Sequence, residues 1–158
     1  MELFVLRHGH AEAEASSDSL RPLSATGAKE IAEIYSKCSD SLANVELILV
    51  SPYVRAQQTL STLTDLSPHL QNVPQQTTTL LVPGASSMAI IDYLYTQATE
   101  CSVGSILLVS HQPLVGTLVD SLCNLDPGCY RMGTAAMASI DADVVAAGCA
   151  ELRWLRHP

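Results

Sequence analysis

Residues 3–9 read Leu3-Phe4-Val5-Leu6-Arg7-His8-Gly9, four consecutive apolar residues followed by a cation, an imidazole and a glycine. A short apolar run that is continuous, with no alternation, is typical of a strand buried on both faces of a parallel sheet. Two further runs of this kind occur at 47–50 (LILV) and 106–109 (ILLV). The three runs therefore predict central parallel strands.

Amphipathic helical patterns lie between these runs and after them. Two apolar stripes recur at helical spacing, and their members are Ile31, Ile34, Tyr35 and Cys38, then Leu114, Val115, Leu118, Val119 and Leu122. Residues 87–99 predict a further helix. Late strands are expected at 135–141 and 150–155, on either side of Gly148, and 77–82 is a further strand candidate.

Serine and proline follow the second and third strands. The pairs Ser51-Pro52 and Gln112-Pro113 predict helix starts, because proline at the first helical position gives up an N–H that has no partner within the helix. Ser51 and Ser110 are interpreted as caps of these helices. Each of the two strands is therefore expected to lead directly into a helix.

Strands and helices thus alternate along the chain. Alternation of this kind predicts an α/β fold, a three-layer α/β/α sandwich with a mostly parallel central sheet. At 158 residues with 47% hydrophobic content, the chain can build the core of one domain. We expect that single domain to span residues 1–158.

Charge and cysteine content exclude several classes of protein. The chain carries 16 Asp+Glu against 8 Lys+Arg, a formal charge of −8, and so lacks the basic surface that nucleic-acid binding needs. Its five cysteines are odd in number and form no C-x-x-C pair, which argues against a disulfide framework and a zinc ribbon. No stretch approaches the ~20 apolar residues of a membrane span. We expect a cytoplasmic protein that binds neither nucleic acid nor membrane.

Basic and imidazole side chains follow the three predicted strands. Arg7 and His8 end the first strand, Arg55 follows the second, and His111 follows the third. In an open α/β sheet, ligands bind outside the carboxyl ends of the strands. Because residues 56–130 contain neither lysine nor arginine, any anion site must draw on a small set of cations. The sequence therefore predicts an anion site at this edge of the sheet.

The same side chains suit phosphoryl transfer. A guanidinium group matches the oxygens of a phosphate, and helix N-termini add backbone N–H groups. A neutral imidazole held among them can act as a nucleophile and form a phosphohistidine. His8 is the stronger candidate for that role, and His111 is expected to bind the equatorial oxygens in the transition state.

Longer motifs around these residues resemble the histidine phosphatase superfamily, also called the phosphoglycerate mutase-like or RHG family. The matching segments are Arg7-His8-Gly9, Arg21-Pro22-Leu23-Ser24-x-x-Gly27, Leu49-Val50-Ser51-Pro52-x-x-Arg55-Ala56-x-x-Thr59 and Val109-Ser110-His111-x-Pro113-Leu114-Val115-Gly116. They look like the compact bacterial phosphohistidine phosphatases of the SixA type. The resemblance runs from residue 3 to about residue 120.

This resemblance implies a phosphatase that removes phosphate from a histidine. It assigns phosphorylation to His8, a phosphate pocket to Arg7, Arg55 and His111, and an assisting role to Arg21. It implies no metal and no cofactor. The expected partner is the phosphotransfer (HPt-type) domain of a hybrid sensor kinase in two-component signalling, or a phosphotransferase-system protein.

The general acid is left unassigned at this point. Larger relatives carry a lid and a carboxylic acid between the second and third central strands, whereas only 55 residues separate Arg55 from His111 here. We therefore expect a compact histidine phosphatase fold without a large lid insertion. A P–N bond breaks readily once the imidazole is protonated, so a dedicated acid is less necessary. Asp18, Glu12 and His10 are weak candidates for it.

Several alternatives stay open at the level of the sequence. A small-molecule acid phosphatase or mutase could use the same scaffold, and it should need a carboxylic acid near the groove. A phosphohistidine-binding module without turnover would keep the pocket and release no phosphate. Arg21 could serve only to pair with Asp18. The oligomeric state is open, with a monomer as the expectation.

Overall fold

The computed structural model describes the whole chain, residues 1–158. It contains six strands and four α-helices, joined by loops and short 3-10 turns. In chain order the elements are β1 (Glu2–Arg7), α1 (Ala25–Cys38), β2 (Leu47–Val50), α2 (Val54–Leu66), β3 (Gln75–Thr77), α3 (Ser87–Thr99), β4 (Ser105–Ser110), α4 (Leu114–Leu122), β5 (Met137–Ala142) and β6 (Ala150–Arg156).

All six strands form one sheet in the order β3-β2-β4-β1-β5-β6. Strands β3, β2, β4 and β1 run parallel, and β5 and β6 extend the sheet in antiparallel fashion at one edge. The predicted mostly parallel sheet is confirmed. Arg7 pairs with Ser110 across β1 and β4, and Val50 pairs with Val109 across β2 and β4. The carboxyl ends of the three central strands therefore lie side by side.

Helices cover both faces of the sheet. Because side chains alternate along a strand, Leu3 and Val5 pack with α3 and α4 on one face, whereas Phe4 and Leu6 pack with α1 and α2 on the other. Both clusters are built from aliphatic side chains that are almost completely withdrawn from water. The predicted three-layer α/β/α sandwich is confirmed.

The helix predicted at 87–99 is present with the same bounds as α3. The two late strands are also present, as β5 and β6, and Gly148 lies in the turn between them with a φ of 74°. The prediction of a strand at 77–82 is wrong. The chain pairs with β2 only through β3 and then closes into a 3-10 turn at Thr79–Leu81.

Neither Pro52 nor Pro113 takes the first position of its helix. Tyr53 is extended, with a ψ of 137°, so α2 can begin only at Val54. Helix α4 begins at Leu114, one residue after Pro113. The strand ends are therefore separated from the helices by short turns, and these turns carry side chains into the space beyond the sheet.

Ser51 and Ser110 do not cap these helices, so that interpretation is wrong. The residues that precede the helices are Tyr53 and Pro113, and neither makes a side-chain capping bond. The Ser51 hydroxyl lies 2.7 Å from Nε2 of His111, and the Ser110 hydroxyl donates to the carbonyl of Leu81 at 2.8 Å. Both hydroxyls thus connect the strand ends to neighbouring segments.

Two glycines allow the loop after β1 to lie directly on the start of α1. A Cβ atom at Gly9 would lie 2.8 Å from the carbonyl oxygen of Gly27, and a Cβ atom at Gly27 would lie 2.8 Å from the backbone nitrogen of His10. Gly9 N–H also donates to the hydroxyl of Thr59 at 3.1 Å. This close packing fixes the backbone directly after His8.

We expect Gly27→Ala to destabilise the protein by about 1–3 kcal/mol and to lower its activity, because the new methyl group meets backbone atoms that cannot rotate away. Urea unfolding measures the first effect and phosphate release measures the second. Gly84→Ala is the matched control, since a Cβ atom at Gly84 meets nothing within 4 Å. Equal stability of the two variants would show that the loop and α1 can separate freely.

The carboxyl ends of the strands stay open. Between α2 and β4 the chain forms only β3, α3 and two 3-10 turns, so no insertion is left to build a large lid. The expectation of a fold without such a lid is confirmed. None of the helices combines the length and the apolar character that a membrane crossing requires.

Candidate active site

An open cavity of about 360 Å³ lies beyond the carboxyl ends of the central strands. Four of the five predicted site residues line it, namely Arg7, His8, Arg21 and Arg55. A larger cavity of about 480 Å³ at the opposite edge of the sheet is mainly apolar and has no histidine or arginine in its walls. The chemistry predicted from the sequence therefore belongs to the smaller cavity.

His8 is oriented by contacts to both of its ring nitrogens. Nδ1 lies 2.7 Å from the carbonyl oxygen of Gly9, so this nitrogen carries the proton and donates it. Nε2 accepts a hydrogen bond from Nε of Arg55 at 3.1 Å, which requires a lone pair on Nε2. The two contacts together select a neutral imidazole with its proton on Nδ1 and its lone pair on Nε2.

Burial lowers the pKa of His8 to about 4, and the nearby charges of Arg55, Arg7 and Arg21 act in the same direction. The ring is 8% exposed. A cationic imidazole is disfavoured here both by the loss of water and by the guanidinium groups around it. His8 is therefore neutral at pH 7 and has the protonation state that a nucleophile needs.

The guanidinium groups around His8 are held by backbone carbonyls and one acid. Arg7 donates to the carbonyl of Met132 at 2.8 Å, while its Nε is buried without a partner. Arg21 donates from Nε to the carbonyl of Glu12 at 2.7 Å. Arg55 is 4% exposed and binds Asp18 as well as His8. With three cations and a single lining carboxylate, Asp18, the cavity favours an anion.

His111 lies behind His8 and does not line the open cavity. The two ring centroids are 4.9 Å apart, and Tyr53 contacts the His111 ring edge-on at the same distance. His111 is 1% exposed, and its Nδ1 is buried without a partner. Burial, with the neighbouring His8 and Arg55, lowers the pKa of His111 to about 3. This ring is therefore also neutral at pH 7.

The three candidates for a general acid have different surroundings. Asp18 lines the cavity, but its carboxylate binds Arg55 and Arg21, and these contacts lower its pKa. Glu12 is exposed and does not line the cavity. His10 does line it, and its Nδ1 lies 2.8 Å from the hydroxyl of Ser24. Of the three candidates, only His10 therefore lines the cavity and keeps a polar atom, Nε2, without a protein partner.

The structure adds two polar side chains that the sequence reasoning missed. Gln112 and Thr134 both line the cavity, and Oε1 of Gln112 is buried without a partner. The position of Gln112, next to His111 after a central strand, was a usable signal. Thr134 had no such signal, because it enters the site through the return of the chain toward β5. No cluster of three or more His, Cys, Asp or Glu side chains suits a metal ion.

We expect acid to destabilise the folded protein as the pH falls from about 6.5 to about 4, because His8 is buried in its neutral form. The pKa of His8 is about 4 in the folded state against 6.5 as its ordinary value, so between these values the unfolded chain binds more protons and stability falls as the pH falls. The loss from His8 approaches about 3 kcal/mol near pH 4. His111 acts with the same sign.

Urea unfolding at about pH 7 and about pH 4.5 measures this loss. The double variant His8→Gln with His111→Gln should be much less sensitive to acid over that range. Equal stability of the unmodified protein at both pH values would contradict the neutral state of the two rings.

Comparison with known proteins identifies the family of the chain. The phosphohistidine phosphatase SixA of Escherichia coli is 35% identical over 161 residues, which cover 100% of this chain and 94% of that protein. The chain belongs to the SixA family of phosphohistidine phosphatases. A SixA homologue of Haemophilus influenzae is 37% identical over 128 residues, which cover 77% of each chain. The chain matches no protein-family model.

A solved structure of the same family supports the assignment. The protein histidine phosphatase SixA complexed with tungstate superposes with a TM-score of 0.88 at 35% identity, covering 100% of this chain and 97% of that one. The SixA-type resemblance noted in the sequence is confirmed. As a member of the SixA family and the histidine phosphatase superfamily, the chain is a phosphatase and therefore a hydrolase.

Proposed function

We propose that this SixA-family protein hydrolyses phosphohistidine on a partner protein through a covalent phosphohistidine at His8. One observation carries the proposal. His8 lines an open cavity whose walls hold three guanidinium groups, and the lone pair of its Nε2 accepts from one of them, Arg55. A neutral nucleophile within a cationic pocket is the arrangement that phosphoryl transfer requires.

In the first step, the incoming phosphoryl group takes the N–H of Arg55 away from Nε2 of His8, and this nitrogen attacks the phosphorus atom of the substrate phosphohistidine. A P–N bond forms to His8 while the P–N bond to the substrate imidazole breaks. The electron pair of the broken bond goes to the substrate nitrogen, which leaves as a neutral imidazole when that ring has been protonated beforehand. Arg7, Arg21 and Arg55 bind the equatorial oxygens. The ring of His111 packs against that of His8, and its unpartnered Nδ1 is the atom that could bind a further oxygen.

In the second step, a water molecule attacks the phosphorus atom of phosphorylated His8. A P–O bond forms, the P–N bond to His8 breaks, and the electron pair returns to Nε2. The proton lost by water goes to solvent, and inorganic phosphate leaves. The hydrogen bond from Nδ1 of His8 to Gly9 keeps the ring oriented through both steps.

The site suits a substrate imidazole that is protonated before the P–N bond breaks and leaves as a neutral ring. A phosphate ester releases an alkoxide, which needs a proton from a strong and well-placed acid. Neither of the two carboxylic acid candidates is available for this, because Asp18 is bound by two arginines and Glu12 lies outside the cavity. A phosphoramidate needs no such acid, and this favours phosphohistidine over small esters as the substrate.

A partner protein can reach the site because the strand ends have no large lid over them. A phosphohistidine side chain must extend from its own domain into the cavity, and an open mouth permits this. We infer that the partner is the phosphotransfer domain of a hybrid sensor kinase or a phosphotransferase-system protein.

Phosphate release from a phosphorylated phosphotransfer domain, measured beside p-nitrophenyl phosphate hydrolysis, tests this proposal. We expect fast release from phosphohistidine and slow cleavage of the ester. Fast ester cleavage with little release from the protein would instead indicate a small-molecule phosphatase. Tungstate binding without turnover of either substrate would indicate a binding module.

A further inference from the structure

Asp18 lies at the mouth of the cavity and binds two of its arginines. Its carboxylate accepts hydrogen bonds from Arg55 at 3.0 Å and from Arg21 at 3.2 Å. Its backbone carbonyl accepts a second N–H of Arg55 at 2.5 Å. The carboxylate side chain is 58% exposed, so burial alone does not impose these contacts.

Arg55 connects Asp18 to the nucleophile. Its Nε donates to Nε2 of His8, and its two terminal nitrogens both donate to Asp18. All three nitrogens of a rigid planar group are therefore engaged, which fixes the plane and the direction of the guanidinium. The geometry of Arg55 at His8 thus depends on where Asp18 lies.

The loop that carries Asp18 is hydrogen-bonded to α2 at its two ends, from Gly9 N–H to Thr59 and from Leu23 N–H to Gln58. Between these ends, only Asp18 is hydrogen-bonded to α2. Glu12 N–H donates to the carbonyl of Pro22 at 2.8 Å, and Arg21 donates back to Glu12, so the loop is closed mainly on itself. The hydrogen bonds from Arg55 to Asp18 connect it to α2. Asp18 therefore sets the position of Arg21 relative to Arg55.

We propose that Asp18 is a positioning residue of the reaction, which keeps the guanidinium of Arg55 in the phosphate pocket beside His8 and places Arg21 beside it. This inference rests on the proposed function of the site. Asp18 is not the general acid, because a carboxylate that accepts from two guanidinium groups is held in its charged form. Its contribution reaches the phosphoryl group only through the two arginines.

Asp18→Asn tests the proposal, with Glu14→Gln as the matched control. Glu14 lies in the same loop, is exposed and makes no contact with the arginines, so its variant removes one negative charge only. We expect Asp18→Asn to lower kcat/KM by about 10- to 100-fold, as small misplacements of catalytic groups do. The loss should be the same for p-nitrophenyl phosphate and for phosphohistidine. A larger loss for the poorer leaving group would make Asp18 an acid and overturn the proposal.

A double-variant cycle separates positioning from a general structural role. If Asp18 acts through Arg55, Asp18→Asn should cost less than about threefold in an Arg55→Ala background, since the group it positions is gone. An undiminished loss in that background would overturn the proposal, as would a loss no greater than that of Glu14→Gln. Thermal unfolding of each variant establishes that it is folded.

Tungstate affinity tests the positioning role of Asp18 without requiring turnover, so this role and the proposed function can fail separately. If the unmodified protein releases no phosphate from phosphohistidine, the proposed function fails, whereas tungstate affinity still reports on the arginines. Asp18→Asn should then weaken tungstate binding about tenfold in the presence of Arg55 and little in its absence. Unchanged tungstate affinity would overturn the positioning role.

Discussion

His8→Ala is expected to lower phosphohistidine hydrolysis by at least about 10³-fold, because it removes the atom that attacks phosphorus. No other side chain in the cavity presents a neutral imidazole nitrogen to Arg55. The measurement is phosphate release from an isolated phosphotransfer domain that carries phosphohistidine, at equal enzyme concentrations.

The control for this prediction is His69→Gln. His69 is exposed and does not line the cavity, so its variant should keep nearly full activity. Circular dichroism and thermal unfolding of His8→Ala show whether the fold is retained. A folded His8→Ala variant with activity within about tenfold of the unmodified protein would show that another group attacks phosphorus.

Arg55→Ala is expected to lower kcat/KM by about 10²- to 10³-fold, the range found when one donor to a developing negative charge is removed. Arg55 approaches the atom that forms the new bond, since its Nε lies 3.1 Å from Nε2 of His8. Charge-assisted hydrogen bonds of this kind are stronger than neutral ones. Tungstate affinity should fall together with activity.

The same substitution should raise the pKa of His8. The charge of Arg55 is one of the causes that lower this pKa, after burial itself. The acidic limb of the pH–rate profile should therefore move to higher pH in Arg55→Ala. Arg153→Ala is the control, because Arg153 is half exposed on β6 and pairs with Asp141 and Glu151, away from the cavity. A loss below about threefold in Arg55→Ala would contradict the assigned role.

The order of the main elements could be predicted because burial leaves a clear pattern in this chain. Strands with both faces covered need continuous apolar residues, which is what β1, β2 and β4 contain. The stripe in α4 was equally clear, since Leu114, Leu118 and Leu122 are all buried. Strand β3 gave no such signal, because its three residues are exposed and it is held by backbone pairing to β2.

The grouping of the site residues also followed from the order of the strands. Arg7, His8 and Arg55 were expected at one sheet edge, and the structure places all three on one cavity. The depth of His111 could not be predicted, because a position after a strand end does not say whether a ring faces solvent or a neighbouring ring. Ser51, the hydrogen-bond partner of His111, was interpreted as a helix cap because its position before Pro52 does not show which neighbour its hydroxyl meets.

Only one of the two ion pairs of Asp18 could be predicted from the sequence. Its pairing with Arg21 was foreseeable, since the two residues are three positions apart. Its pairing with Arg55 depends on how the loop after β1 folds onto α2, and no local pattern reports that. Contacts between a loop and a distant helix are set by the packed core beneath them, here by the close approach of Gly9 and Gly27.

The stereochemical course at phosphorus tests the central claim, a covalent intermediate on His8, most directly. The substrate is a thiophosphoryl compound made chiral with oxygen isotopes, and the configuration of the released thiophosphate is determined. Attack by His8 followed by attack of water makes two in-line displacements, each of which inverts the phosphorus centre. The account therefore predicts net retention. Net inversion would mean that water attacks the substrate in a single step, and it would contradict the role assigned to His8.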